Sequence, residues 1–253
     1  MSRLGDLVLG IRAVLLREML LLKVKVGRFG YVFYSLMSPL IYLAAFGFGF
    51  GSRVRFDGVA YELFLIQGLV CMTSMNNAYN LVMTSVSFGR LSSKSFQSLI
   101  TSPVSPVAIM AGLVLSGMLR GFIAALVIVG AGALLFGVFA LSWLSTLALL
   151  LNLMFFASLG VVVGLMIRDM ESSALIMNFF IMPMSFFSGT FFPIDNLPGV
   201  LRGIVSLFPL AHTNIIMRAP ALEGPVLVSV LVLLAATLLV GAAGVRAMSR
   251  YSE

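Results

Sequence analysis

Long apolar runs alternate with short polar segments along the whole chain. A bilayer core takes about 20 residues of helix per crossing, and runs of that length predict six transmembrane helices at about 29–50, 60–87, 107–136, 143–167, 172–190 and 226–245. Pro39 and Pro183 fall inside two of these runs, where neighbouring groups in a membrane protein can satisfy the freed carbonyls. The pattern therefore predicts one all-α integral membrane domain over residues 1–253.

The segment before the first run has a different, amphipathic pattern. Its apolar residues share one helical face, and they are Leu4, Leu7, Val8, Ile11, Val14 and Leu15. Asp6, Arg12 and Arg17 lie off that face, which predicts an interfacial helix over 3–26 with its apolar side in the membrane. The alternative is a basic flank that only orients the first span. The charges also interrupt any apolar core, so a cleaved signal is not expected.

Two connecting segments stand out from ordinary loops. The polar segment 88–106 ends in Pro103 and Pro106, which bias the preceding residues away from helix and mark a boundary. The stretch 188–199 is too broken to span a membrane and too apolar for a simple loop. The next residues, 200–210, could form a short amphipathic helix that ends near Pro209.

Composition and charge agree with a membrane protein. The chain is 60% hydrophobic and 10% charged with a mean hydropathy of +1.12, whereas a soluble domain carries about 25% charged residues. The net charge of +7 is best explained by topology rather than by nucleic acid, because the basic residues flank the spans. Eleven of them lie on one side, namely Arg3, Arg12, Arg17, Lys23, Lys25, Arg28, Arg90, Lys94, Arg168, Arg246 and Arg250. Four lie on the other, namely Arg53, Arg55, Arg202 and Arg218, which predicts that both termini are cytoplasmic.

The chain lacks the groups that most catalytic and ion-coupled membrane proteins use. No phosphate-binding loop is present, since Lys94-Ser95 is not preceded by glycine. His212 is the only histidine and Cys71 the only cysteine, which excludes a His-based metal cluster or a disulfide within the chain. The acids sit at span ends or in loops, so no carboxylate for a coupling ion lies mid-span. The chain is expected to be no enzyme and to bind no cofactor, and any energy for uphill transport must come from another chain.

Arg120 is the one charge clearly inside a predicted span. At a helix centre it would cost about 2.5–3.5 kcal/mol on insertion scales. One interpretation is that a long helix extends beyond the bilayer and lets Arg120 reach the cytoplasmic boundary. The other is that Arg120 pairs with Asp169 or Glu171 in the turn after the fourth span.

Methionine and asparagine concentrate in the second and fifth spans. Methionine adapts to irregular apolar ligands, and asparagine in a span usually faces protein or water. The residues that could line a pathway for an amphiphile are Met72, Met75, Asn76, Asn178, Met182 and Phe186. The alternative is packing between helices, to which the G-x-x-x-G pairs at 117/121 and 160/164 could also contribute.

Several motifs together resemble those of a known family. They are the stretch 188–198 (Ser-Gly-Thr-Phe-Phe-Pro-Ile-Asp-Asn-Leu-Pro), Leu201-Arg202, the Phe-Pro-Leu-Ala-His run at 208–212, Arg218, and earlier 38–42, 47–51, 88–90 and 102–106. This pattern is similar to that of ABC-2 type permeases, and specifically to the NodJ-like branch of lipo-oligosaccharide export permeases. His212 follows the NodJ-like pattern, whereas many members carry an aromatic residue there.

The resemblance implies the permease subunit of an ATP-driven bacterial exporter that moves a drug or an amphiphilic, lipid- or glycan-bearing molecule outward. A homodimer in the inner membrane, surrounded by lipid, would recruit two copies of a separate ATPase that binds ATP and Mg. Residues 91–102 would form the coupling helix within 88–106, with contacts to the ATPase from Arg90, Leu91, Lys94, Phe96, Gln97, Leu99 and Ile100. Residues 190–210 would re-enter the membrane, marked by Phe192, Pro193, Asn196, Leu197 and Pro198. The alternative is a passive channel or membrane scaffold that is not coupled to ATP.

Overall fold

The computed structural model describes residues 3–26, 30–51, 54–56, 58–139 and 142–251, and these are mostly helical. The helices are α1 (Arg3–Val26), α2 (Gly30–Phe50), α3 (Tyr61–Leu91), α4 (Ser95–Ile100), α5 (Pro106–Phe136), α6 (Trp143–Met166), α7 (Met170–Ile176), α8 (Met182–Phe187), α9 (Gly199–Val205), α10 (Pro209–Arg218) and α11 (Gly224–Tyr251). A π-helical turn (Met177–Ile181) joins α7 to α8, and a 3-10 turn (Ile194–Asn196) precedes α9. Strands β1 (Arg55–Phe56) and β2 (Val59–Ala60) form an antiparallel hairpin, with Arg55 opposite Ala60.

Helices occupy all of the predicted spans, but not all of these helices are equally apolar. Among the described residues, three helices are long and apolar enough to cross a membrane, namely α5, α6 and α11. The pair of α9 and α10 is bent by 91° and adds a fourth span if the two helices are counted as one. The apolar parts of α2 and of α7–α8 are shorter, and amides and hydroxyls lower the hydropathy of α3. A count of six spans therefore stays a prediction. The topology argument also used Arg28 and Arg53, which lie outside the described residues, and Arg3, Lys23 and Lys25, whose side chains are not described.

The most polar of the predicted spans, α3, is the central helix of the fold. Two G-x-x-x-G pairs face it, namely Gly117 with Gly121 in α5 and Gly160 with Gly164 in α6. A Cβ added at Gly121 would lie 2.7 Å from the carbonyl oxygen of Ser74, and one at Gly160 would lie 2.6 Å from that of Tyr79. These glycines therefore let α5 and α6 approach the backbone of α3 more closely than any side chain would allow.

Several polar groups buried beside α3 find hydrogen-bond partners in neighbouring helices, whereas Thr73 Oγ1 and the Tyr79 hydroxyl are buried without one. The Asn152 amide of α6 donates hydrogen bonds to the Cys71 carbonyl (3.1 Å) and to Ser74 Oγ (2.9 Å). The Thr213 hydroxyl of α10 donates to Asn152 Oδ1 at 3.1 Å. Because neighbouring helices provide these partners, the part of α3 around Cys71 and Ser74 can be polar without facing water.

The fifth predicted span contains its proline without breaking. Pro183 has no N–H to donate, and its ring would clash with the carbonyl four residues earlier in a regular α-helix. The π turn just before it resolves this, since the Met182 N–H bonds to the Met177 carbonyl five residues back. The chain thus continues as one apolar helix from α7 into α8.

Candidate functional site

A cavity of about 500 Å³ opens between α2, α3 and the α7–α8 helix. Its lining combines amide and hydroxyl groups with methionine, aromatic and aliphatic side chains, and no described residue of the lining is charged. The polar groups come from Ser38, Asn76, Asn77, Asn80, Thr84, Ser173 and Ser185. Such a surface suits an uncharged or amphiphilic molecule better than a small ion.

The predicted pathway residues divide between this cavity and other places. Met72, Asn76, Met182 and Phe186 line it together. Met75 is fully buried and lies outside the lining, and Asn178 is exposed on the π turn and also lies outside it. Asn178 and Met182 are only four residues apart, but the π turn changes the helical register between them.

The contribution of α2 to this cavity was not predicted from the sequence. Tyr42 of α2 lines it and stands edge-on to Phe186, with ring centroids 6.0 Å apart. Phe191 lies 5.3 Å from Phe186 and 5.6 Å from Tyr42, so an aromatic cluster connects the cavity wall to the segment that follows α8. A tyrosine within an apolar run carries no pattern that distinguishes a lining residue from a packing residue.

The segment after α8 is anchored at its start and becomes exposed along its length. Ser188 and Thr190 are fully buried, and the Asn214 amide of α10 donates to the Ser188 carbonyl at 2.9 Å. A Cβ at Gly68 of α3 would lie 2.3 Å from the Thr190 carbonyl oxygen, so the segment rests directly on α3.

The five residues predicted to mark re-entry follow this anchor. Phe192, Pro193 and Leu197 are half-buried, while Asn196 and Pro198 are exposed. Most apolar side chains of the short helix α9 are then uncovered, with Val200 80% and Ile204 50% exposed, whereas Val205 is buried. This arrangement places apolar surface outside the bundle, although a position within the membrane stays a prediction.

The coupling segment has a different geometry from the expected one. Its helix, α4, begins at Ser95 and not near 91, because Lys94 turns the chain with a left-handed φ of 52°. Phe96 and Leu99 are only 3% and 8% exposed, so they belong to the core of this chain. The apolar stripe packs inward, and Phe96 lies against Gly89 of α3. This burial gives no support to the prediction that the two side chains contact an ATPase, and that contact stays a prediction.

The other predicted coupling residues also divide between inside and outside. Ile100 is half-buried against the core, and the Arg90 guanidinium donates to the Ile167 carbonyl at the end of α6. Leu91, Lys94 and Gln97 are exposed. These three form the part of the predicted contact set that remains open to a partner.

Arg120 pairs with an acid other than the two that were predicted. Its side chain is 9% exposed and forms an ion pair with Glu18 of α1, with Nη2 3.4 Å from Oε2 and 3.0 Å from the Glu18 carbonyl. The predicted pair with Asp169 or Glu171 is thus replaced by a pair with Glu18, because α1 packs along α5 and brings an acid from far away in sequence. The interpretation that Arg120 reaches the cytoplasmic boundary stays a prediction. Asp169 instead caps α7, where hydrogen bonds from the Ser172 backbone and hydroxyl lower the pKa of its carboxyl.

Glu18 joins several elements at one buried point. Only 1% exposed, it also accepts hydrogen bonds from Ser85 Oγ of α3 at 2.8 Å and from Arg17 at 2.9 Å. Arg17 in turn donates to the Ser95 carbonyl of α4 at 3.3 Å. Sequence reasoning did not single out Glu18. The available signal was that Glu18 follows Val14 by four residues and Gly10 by eight, which places all three on one face of α1.

The face of α1 that carries Glu18 is fitted closely to α5. A Cβ at Gly10 would lie 3.0 Å from Ala108 Cβ, and one at Gly112 would lie 2.6 Å from Val14 Cβ. Other apolar residues of α1 face outward, namely Leu4, Val8, Leu9, Leu16, Leu20 and Leu21. One side of α1 is therefore bound to the bundle, and the other remains available to a membrane surface.

Comparisons with known proteins agree with this architecture. Residues 10–222 match the family described as ABC-2 type transporter. The chain is 30% identical over 185 residues to the inner membrane transport permease YadH of Escherichia coli (strain K12), covering 70% of this chain and 72% of that protein. It is 31% identical over 197 residues to nodulation protein J of Rhizobium meliloti (strain 1021), covering 76% of this chain and 74% of that protein. Within the described residues, no group of three or more His, Cys, Asp and Glu side chains could hold a metal ion.

Proposed function

The chain belongs to the ABC-2 type transporter family, as its motifs predicted, and on that premise we propose that it exports an amphiphilic, lipid- or glycan-bearing molecule. Membership makes it the permease subunit of an ABC transporter. The similarity to nodulation protein J and to an inner membrane permease supports placement in a bacterial inner membrane. The proposal adds the outward direction and the class of cargo.

The uncharged cavity between α2, α3 and α7–α8 is the observation that carries this proposal. Its volume of about 500 Å³ accommodates a headgroup or a sugar residue rather than a whole lipo-oligosaccharide. Amides such as Asn76 and Asn80 can hydrogen-bond to hydroxyls, and methionines such as Met72 can contact an acyl chain. A second copy of the chain would complete the transport path, because in one protomer the cavity lies on only one side of the helical bundle.

A separate ATPase supplies the energy in this proposal. ATP and Mg bind there, and its contact with this chain includes the exposed residues Leu91, Lys94 and Gln97 at the α3–α4 turn. Movement of that turn reaches α1 and α5 through Arg17 and Glu18. Six spans, cytoplasmic termini and a re-entrant 190–210 segment complete the arrangement.

Transport into inside-out vesicles tests the proposal. Vesicles that contain the chain and its ATPase should take up a fluorescently labelled lipo-oligosaccharide when ATP is present. Asn80→Trp, which fills the cavity, should reduce the initial rate by about tenfold, a barrier increase of about 1.4 kcal/mol. Asn178→Trp is the matched control, because Asn178 is exposed and lies outside the lining.

Two outcomes would contradict the proposal. Uptake that is equal with and without ATP would indicate a passive channel. Equal loss of uptake in both tryptophan variants, with both proteins folded, would show that the cavity is not on the path.

A further inference from the structure

A second cavity, of about 350 Å³, lies at the opposite end of α3 from the coupling turn. With 31 residues, α3 separates the two ends by about 45 Å. The wall of this cavity is formed by the first turns of α3, the hairpin, the turn at 193–195 and the last turns of α10. It is separate from the central cavity, and the proposed transport cycle assigns no role to it.

Arg218, the last residue of α10, supplies the positive charge of this cavity. Its guanidinium stacks on Phe64, with Cζ 3.6 Å from the ring centroid, and Nη2 donates to the Phe64 carbonyl at 3.1 Å. No carboxylate of the described residues lies within ion-pair distance of it, and its Nε–H is enclosed without an acceptor. The guanidinium has five N–H donors, so most of its hydrogen-bonding capacity is unused by the protein.

The acidic residue in the lining of this cavity, Asp195, does not neutralise the charge of Arg218. Asp195 is 87% exposed and lies 3.5 Å from Arg202, with which it pairs. Phe56 and Phe64 meet at 5.0 Å and form an apolar wall beside the guanidinium. A cation held against aromatic rings and away from water is costly unless an anion accompanies it.

The remaining polar groups of the lining favour a ligand that also carries hydroxyls. Asn214 uses its amide N–H on the Ser188 carbonyl and leaves Oδ1 without a partner. Gln67 donates weakly, at 3.4 Å, to the Met217 carbonyl. An oxyanion that is attached to a glycerol or sugar would place acceptors near Arg218 and donors near these amides.

We propose that this cavity binds a phosphate-type oxyanion through Arg218. The planar guanidinium suits two oxygens of one phosphate, and the aromatic wall accommodates the carbon skeleton next to it. The oxyanion can belong to a membrane lipid headgroup or to a soluble phosphate, and both present the same group to Arg218. Binding requires no ATPase, so its test is independent of the proposed export activity.

The unfolding temperature of the purified chain in a neutral detergent provides the test. It is measured with increasing inorganic phosphate, with short-chain phosphatidylglycerol, and with uncharged short-chain diacylglycerol, against chloride at equal ionic strength. We expect the unfolding temperature to rise to a plateau with phosphatidylglycerol and to stay unchanged with diacylglycerol, because ligands that bind the folded state stabilise it. A rise with inorganic phosphate as well would show that the oxyanion alone suffices; a rise with the lipid only would assign the site to membrane headgroups.

The variants separate Arg218 from general charge effects. Arg218→Gln should weaken the apparent affinity by about tenfold or more, and Arg218→Lys should weaken it less. Arg202→Gln, a control at an exposed arginine that already has an acid partner, should leave it unchanged. The proposal is overturned if neither anion shifts the wild-type protein, if diacylglycerol acts equally well, or if a folded Arg218→Gln or Arg218→Lys variant binds as the wild type does. The comparison of ligands on the wild-type protein does not depend on the variants, so the proposal remains testable if a variant does not fold.

Discussion

Replacing Glu18 by glutamine should destabilise the protein more than almost any other single change of charge. The substitution leaves Arg120 enclosed, at 9% exposure, without its acid. At an effective dielectric constant of about 20, unit charges separated by 3.4 Å attract by about 5 kcal/mol. Removal of one partner of a buried pair typically costs about 3–5 kcal/mol, so the two estimates agree.

A double-mutant cycle separates this pair from its surroundings. Glu18→Gln and Arg120→Met are compared singly and together by chemical unfolding in detergent, followed by far-UV circular dichroism. The loss in free energy of unfolding of the double variant should be smaller, by at least about 2 kcal/mol, than the summed losses of the two single variants. The reason is that the double variant leaves no unpaired charge. Arg17→Gln is the control, since Arg17 is 31% exposed and its pair with Glu18 should contribute about 1 kcal/mol or less. Additive losses, or a cost below about 1 kcal/mol for Glu18→Gln, would refute the assignment of Glu18 as the buried junction.

Two further predictions concern packing. Gly160→Ala should destabilise the protein by about 1–3 kcal/mol because its Cβ would meet the backbone of α3. Gly130→Ala, with open space around it, should stabilise α5 by up to about 1 kcal/mol. Unfolding curves that place both variants on the same side of wild type would contradict the helix contacts. Phe96→Asp should prevent stable folding because it buries a carboxylate. Gln97→Asp should leave the unfolding midpoint unchanged and reduce co-purification of the ATPase. A folded Phe96→Asp protein with normal stability would show that α4 does not pack as described.

The hydrophobic pattern predicted where the helices lie because each apolar run is long and its ends are marked by proline, glycine or charge. Even Pro183 was placed correctly inside its helix, although the π turn that accommodates it has no sequence signal. The pattern could not tell inward from outward on α4, since an i, i+3, i+4 stripe at Phe96, Leu99 and Ile100 fits a core face as well as a docking face.

Long-range partners were the part that the sequence could not supply. Arg120 was recognised as unusual, but its acid lies 102 residues away on a helix expected at the membrane surface. The methionine and asparagine pattern found four residues of the central cavity and missed the contribution of α2, because Tyr42 looks like any aromatic residue in an apolar span. The family, in contrast, was identifiable from local motifs, since these are contiguous in the chain.

Labelling of a cysteine in the central cavity tests most directly whether ATP on a separate chain acts on this site. In a Cys71→Ser background, which keeps the carbonyl that Asn152 binds, Asn80→Cys places one thiol in the cavity wall and Asn178→Cys places one outside it. The rate of maleimide labelling is measured in membranes with the ATPase, with and without ATP. We predict a change of at least about threefold at position 80 and none at position 178. An unchanged rate at position 80 in an ATP-hydrolysing complex would contradict the account.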